Sequence, residues 1–97
     1  MTWALHRGAE QDLDDAFRFY LSEAGRAVAA RFLDEFERVL AMLEARPELG
    51  TPTGGDRRRF PLRGFPYSVI YRQAGGALQV LVVRHQSRDP GHGTRRR

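Results

Sequence analysis

Two spacings of apolar residues divide the chain. Tyr67, Val69 and Tyr71 take every second position of Phe65-Pro66-Tyr67-Ser68-Val69-Ile70-Tyr71, so an extended strand projects all three from one face. Pro66 has no N–H to give a ladder and fits the first residue of that strand. Gly75-Gly76 is a turn signal, and Leu78-Gln79-Val80-Leu81-Val82-Val83 beyond it is almost wholly apolar. The two runs predict an antiparallel hairpin whose second strand is buried on both faces. Its expected core is Phe65, Pro66, Tyr67, Val69, Tyr71, Val80 and Val82.

Ahead of this hairpin the period changes twice. Trp3-Ala4-Leu5-His6-Arg7 alternates weakly, predicting a first strand with Trp3 and Leu5 inward and Gly8 at its end. His6, on the opposite parity, is expected in solvent. From Ala9, the residues Leu13, Ala16, Phe17, Tyr20, Leu21 and Ala24 recur at helical spacing. Gly25 suits a left-handed helix end. Val28, Phe32, Phe36, Val39 and Leu43, widened by Leu33 and Leu40, then make a second stripe that Pro47 stops. Two amphipathic helices so closely joined predict an antiparallel helical hairpin lying on the sheet.

Glu48 to Asp56 is rich in Gly and Pro and reads as loop. In Arg57-Arg58-Arg59-Phe60-Pro61-Leu62-Arg63, Phe60 and Leu62 share one parity while Arg57, Arg59, Pro61 and Arg63 share the other. This predicts a strand with one apolar and one basic face, and Pro61 argues that its outer side lacks a full ladder partner. After Val83 the sequence leaves the sheet. Residues 1–90 form one expected domain, and 91–97 an expected mobile basic tail.

Charge sharpens this division. Residues 1–56 carry 6 Arg against 11 acids, net −5; residues 57–97 carry 10 Arg against one acid, net +9. A C-terminal half of that sign is expected to meet something anionic. Lys and Asn are absent and Ile occurs once, so the choice of Arg over Lys fits GC-rich coding; the clustering of arginines is a separate signal. With no cysteine, a disulfide framework and a thiolate zinc site are excluded. No apolar run approaches the ~20 residues of a membrane span, and no signal peptide is seen, so the expected location is the cytoplasm.

Few residues offer catalytic chemistry. Glu10, Asp12, Asp14 and Asp15 crowd the first helix's early turns, where they suit the helix dipole and solubility rather than acid–base work. His85 and His92 lack a third ligand at usable spacing, so no metal site is expected. Ser68, His85 and an Asp are too scattered to argue for a nucleophilic triad. Gly54-Gly55 precedes a strand and does not form a phosphate loop. The arginines are left: Arg57, Arg59, Arg63, Arg84 and Arg88 are the expected target-binding set, with Arg58 and Arg95 to Arg97 nearby. The aromatics interleaved with them are assigned to the core.

In this order, the strand, helical hairpin, Arg-rich strand, Phe65-Pro66-Tyr67-x-x-x-Tyr71, apolar strand and His85-x-x-Arg88-x-Pro90 resemble the RelE/ParE superfamily of bacterial toxins. The resemblance spans residue 3 to about residue 92. Asp12-Leu13, Phe65-Pro66-Tyr67 and His85-Gln86-Ser87-Arg88-Asp89-Pro90 are closest to its ParE branch. It implies an α+β fold: an N-terminal strand and an antiparallel helical hairpin packed on a small antiparallel β-sheet. It also implies a type II toxin without cofactors, neutralised by a small ribbon-helix-helix-type antitoxin.

Two activities come with the resemblance. ParE-type members bind DNA gyrase and block it with DNA cleaved. RelE-type members cut mRNA on the ribosome; for that alternative, Arg59 and Arg88 match basic catalytic positions and His92 is the expected proton shuttle. Pro61, Ser68 and Thr94 stand where RelE has Lys, Arg and Tyr. Loss of such donors removes phosphate-charge stabilisation worth ~3 kcal/mol each, so the ParE-like reading comes first. A non-toxic basic interaction module is the third reading.

Overall fold

The computed structural model describes residues 3–87 together with Gly93 and Arg96. Five strands, β1 (Trp3–Leu5), β2 (Thr51–Gly54), β3 (Arg57–Pro61), β4 (Tyr67–Ala74) and β5 (Ala77–His85), form one sheet in the order β1-β5-β4-β3-β2. Helices α1 (Arg7–Ala24) and α2 (Arg26–Ala45) pack on one face. The α+β architecture is the expected one, with one refinement: β1 runs parallel to β5, so the sheet is mixed. The helical hairpin carries the chain back across the sheet before β2, which permits that parallel pairing.

Each helix begins and ends for a local reason. His6 is half-buried rather than solvated, because its Nδ1 accepts from the Gly8 N–H at 2.9 Å and caps α1 two residues earlier than the apolar stripe predicts. Gly25 alone separates the helices, with φ 91° and ψ 175°. The positive φ was expected; the extended ψ replaces the left-handed turn and sends the chain straight into α2. Ala29, Phe32, Phe36, Val39, Leu40 and Leu43 form the buried face of α2.

The hairpin prediction holds closely. Gly75 and Gly76 both have positive φ, 59° and 80°, and form a two-residue turn between Ala74 and Ala77. Tyr67, Val69 and Tyr71 all face the helices. Tyr20, Phe32, Phe65 and Tyr67 form an aromatic cluster with ring centroids 5.2–6.2 Å apart. Truncating the fully buried Phe32 to Ala would cost about 3–5 kcal/mol.

Several expectations are corrected. Val82 is buried as expected, in a strand covered on both faces, but a bulge opposite Ile70 and Tyr71 shifts the parity of β5, so that it joins Ile70 and Leu81 in a second cluster on the face opposite Val80. Pro66 is exposed and immediately precedes β4, so it shapes the turn and is not core. Trp3 opens a short edge strand and is 41% exposed. The expected loop from Glu48 to Asp56 contains a 3₁₀ turn, Pro47–Leu49, and strand β2, whose residues are all exposed. An edge strand exposed throughout carries no apolar alternation to reveal it. β2 ends its pairing at Arg59, leaving Pro61 without a partner on that side, as its missing N–H requires.

Candidate functional site

Strand register decides where the arginines point. Phe60 pairs with Val69 and faces the helices, so Arg57, Arg59 and Pro61 project from the opposite, outer face. On β4 that face carries Ser68, Ile70 and Arg72, and on β5 it carries Gln79, Val82 and Arg84. Arg57, Arg59 and Arg84 of the expected set therefore share one face, and Arg72 joins them. Arg72 carries no signal of its own in the sequence; only the register places it there. No Asp or Glu occurs in β3, β4 or β5, so no carboxylate from these strands offsets that charge.

Other arginines are placed differently. Arg58 turns to the helix side, where Nη1 donates to the Gly50 carbonyl at 2.8 Å and to that of Glu48 at 3.2 Å. It holds the 3₁₀ turn. Arg63 lies past the end of β3, and its backbone N–H donates to Glu35 Oε2 at 2.6 Å. Arg88 and His92 lie outside the described residues, so of the alternative nuclease set only Arg59 is placed. Ser68 and His85 lie on opposite faces: the His85 ring meets Tyr67 edge-on at 5.0 Å, and its Nδ1 accepts from the Ser87 N–H at 3.0 Å. That arrangement excludes a joint catalytic role.

The C-terminal segment contributes a contact that composition does not foretell. Arg96 Nη1 lies 2.6 Å from Asp12 Oδ2, and the Arg57 guanidinium donates to the Arg96 carbonyl. Asp12, expected on a solvated helix face, has a side chain only 8% exposed. Gly93 lies against Val82, close enough that a Cβ there would collide with its methyl groups. Arg96 is thus tied to the domain; of the tail expected over 91–97, the residues other than Gly93 and Arg96 lie outside the described residues.

On the helix side, Leu5, Leu13, Phe17 and Leu33 line an apolar groove of about 300 Å³, with Glu10 and Asp14 at its edge. Phe19 and Leu21 of α1 are exposed nearby in sequence, at 56% and 42%. Among the described residues no group of three or more His, Asp or Glu could hold a metal ion, and no helix is long and apolar enough to cross a membrane.

Comparison with known proteins agrees with this architecture. Residues 4–90 match the family model described as ParE toxin of type II toxin-antitoxin system, parDE. Toxin ParE2 of Mycobacterium tuberculosis, in each of two strains, is 30% identical over 86 residues, covering 89% of this chain and 82% of the relative. A solved structure titled Chromosomal ParDE TA system from P. aeruginosa superposes with a TM-score of 0.76 at 22% identity, covering 88% of this chain and 95% of that one. At that identity the superposition speaks for the fold.

Proposed function

Because the chain belongs to the ParE toxin family of type II toxin–antitoxin systems, we propose that it acts in the cytoplasm by binding DNA gyrase or the gyrase–DNA complex. The contact surface is the outer sheet face. The observation that carries this reading is the placement of Arg57, Arg59 and Arg84 on one face of strands that contain no carboxylate. Arg63 and Arg88 belong to the same proposed target-binding set. Planar guanidinium groups grip phosphate and carboxylate in two-point fashion and steer an anionic partner before contact. Binding of this kind needs no bond-breaking machinery.

A cognate antitoxin of the ribbon-helix-helix type is the proposed second partner. Its apolar segment would occupy the groove of Leu5, Leu13, Phe17 and Leu33, and its basic residues would meet Glu10 and Asp14. The toxic face and the neutralised face are then different surfaces of one small domain.

The test is a supercoiling assay. Purified protein should inhibit gyrase and accumulate cleaved DNA, and adding antitoxin should reverse both. Gyrase left fully active at high toxin concentration would remove this mechanism. A parallel assay for mRNA cuts at the ribosomal A site reads the RelE-type alternative, and harmless expression without antitoxin would favour a non-toxic binding module.

A further inference from the structure

Ser68 and Arg84 face each other across the β4–β5 ladder on the outer face of the sheet. Directly paired residues have Cβ atoms roughly 4.5–5.5 Å apart, so one small group can touch both side chains. Both carry a buried polar atom without a hydrogen-bond partner: Ser68 Oγ and Arg84 Nε. Ser68 is 4% exposed, and it is the only buried polar residue among those described. Such atoms are rare in folded proteins because each has lost its water without replacement. One hydroxyl standing alone could be a packing defect. Two donors on adjacent strands, buried and unpartnered together, are a pair that lacks an acceptor.

We propose that Ser68 and Arg84 form a binding site for the oxyanion of a phosphate group. Arg84 Nε–H and Ser68 Oγ–H are both donors, and the guanidinium is permanently charged, so the missing partner is an anionic oxygen rather than a cation or a neutral donor. Arg59 lies one same-face step further along the sheet, paired with Ile70, and Arg57 and Arg72 follow in the next row. No strand residue of the opposite charge competes. A phosphate offers several acceptor oxygens and up to two negative charges, which suits a site whose charged neighbours on these strands are all cationic. The phosphate can be free or part of a nucleic-acid backbone. The site stands independently of the gyrase reading, since it is measured on the protein alone.

The experiment titrates purified protein in Tris chloride at fixed ionic strength with inorganic phosphate, a short single-stranded DNA, or acetate. The Arg84 Nε–H resonance, identified by its loss in Arg84→Lys, is the readout. Phosphate or DNA should shift it and raise the melting temperature, and whichever acts at lower concentration identifies the source. Ser68→Ala should keep the melting temperature of the unliganded protein and weaken phosphate binding about tenfold; Arg84→Gln should weaken it at least as much. Arg18→Gln, a charge loss on exposed α1, should leave it unchanged. The proposal is overturned by an unmoved Arg84 signal, by equal shifts with acetate, or by equal weakening in Arg18→Gln. A clear drop in melting temperature for unliganded Ser68→Ala also overturns it, because the hydroxyl would then already have a partner.

Discussion

Arg96 and Asp12 meet through two contacts, Nη1 to Oδ2 at 2.6 Å and Nη2 to Oδ1 at 3.3 Å, and together they close a stretch of sheet edge. β1 pairs only with Leu78 to Val80, so β5 continues beyond it with backbone groups facing outward. Asp12 Oδ2 accepts from the Val83 N–H at 3.0 Å, and Arg96 Nη1 donates to the Leu81 carbonyl at 3.2 Å. A pair of side chains does what a longer β1 would do, which matters because a bare edge invites pairing with other chains.

Burial sets the size of the effect. The Asp12 and Arg96 side chains are 8% and 20% exposed, whereas the Arg18–Asp14 pair is 76% and 49% exposed. Asp12→Ala leaves a largely buried guanidinium without its counter-ion and the Val83 N–H without its acceptor, and should cost about 3–5 kcal/mol. Removing Asp14 should cost no more than about 1 kcal/mol. Urea denaturation of the two variants checks the ranking, and comparable losses would refute it.

Tyr71 supplies a second prediction. Its hydroxyl donates to the Pro47 carbonyl at 2.6 Å and accepts from the Gly50 N–H at 2.9 Å, joining β4 to the turn after α2. Tyr71→Phe orphans both groups and should cost about 1–3 kcal/mol. A Cβ on Gly50 would collide with the same hydroxyl; Gly50→Ala should therefore also destabilise, by about 1–3 kcal/mol. In the double variant the hydroxyl, the nearest of the colliding atoms, is gone while the ring carbons Cε1 and Cζ still crowd the new Cβ, so the losses should sum to somewhat less than the two single values. Strict additivity in thermal melts would show that the contact is not shared.

What the sequence revealed depended on period and parity. Tyr67, Val69 and Tyr71 alternate cleanly, and Phe32, Phe36, Val39 and Leu43 keep helical spacing, so the hairpin and α2 were legible. The bulge in β5 was not. Within Val80-Leu81-Val82-Val83 every residue is apolar, and no alternation marks where the faces exchange. The basic face was legible from Arg57 and Arg59 on one parity, but Arg72 and Arg84 join it only through register. Asp12 was misread because three neighbouring acids are also near the helix start, and its distinguishing partner lies 84 residues away.

Glu35 gives the acid limb of stability. It takes both Arg38 hydrogen bonds, at 2.7 and 2.8 Å, as well as the Arg63 N–H, tying α2 to the end of β3. The Arg38 hydrogen bonds, foremost among its surroundings, hold its carboxyl below the ordinary value of 4.5. Because the folded-state value is depressed, this stabilisation is complete above 4.5 and is lost as pH falls through the lower, folded-state value. Glu35→Gln should cost about 1–3 kcal/mol at neutral pH, and the gap to wild type should close in acid. Chemical denaturation between pH 7 and pH 3 measures it; a gap independent of pH would assign the cost to packing alone.

Arg59 separates the target face from the fold. It is exposed on the outer face in the Ile70 row, so Arg59→Ala should leave stability within about 0.5 kcal/mol of wild type. Loss of one well-placed contact to an anionic partner, about 1.4 kcal/mol, should raise the concentration needed for half-inhibition of gyrase about tenfold. Screening weakens exposed charges, so the wild-type advantage should shrink as salt rises from low to physiological strength. A substitution in the apolar groove, Phe17→Asp, should do the reverse: toxicity is retained and antitoxin affinity falls. If Arg59→Ala and Phe17→Asp impair both partners equally, target and antitoxin share one surface, and the two-face arrangement is wrong.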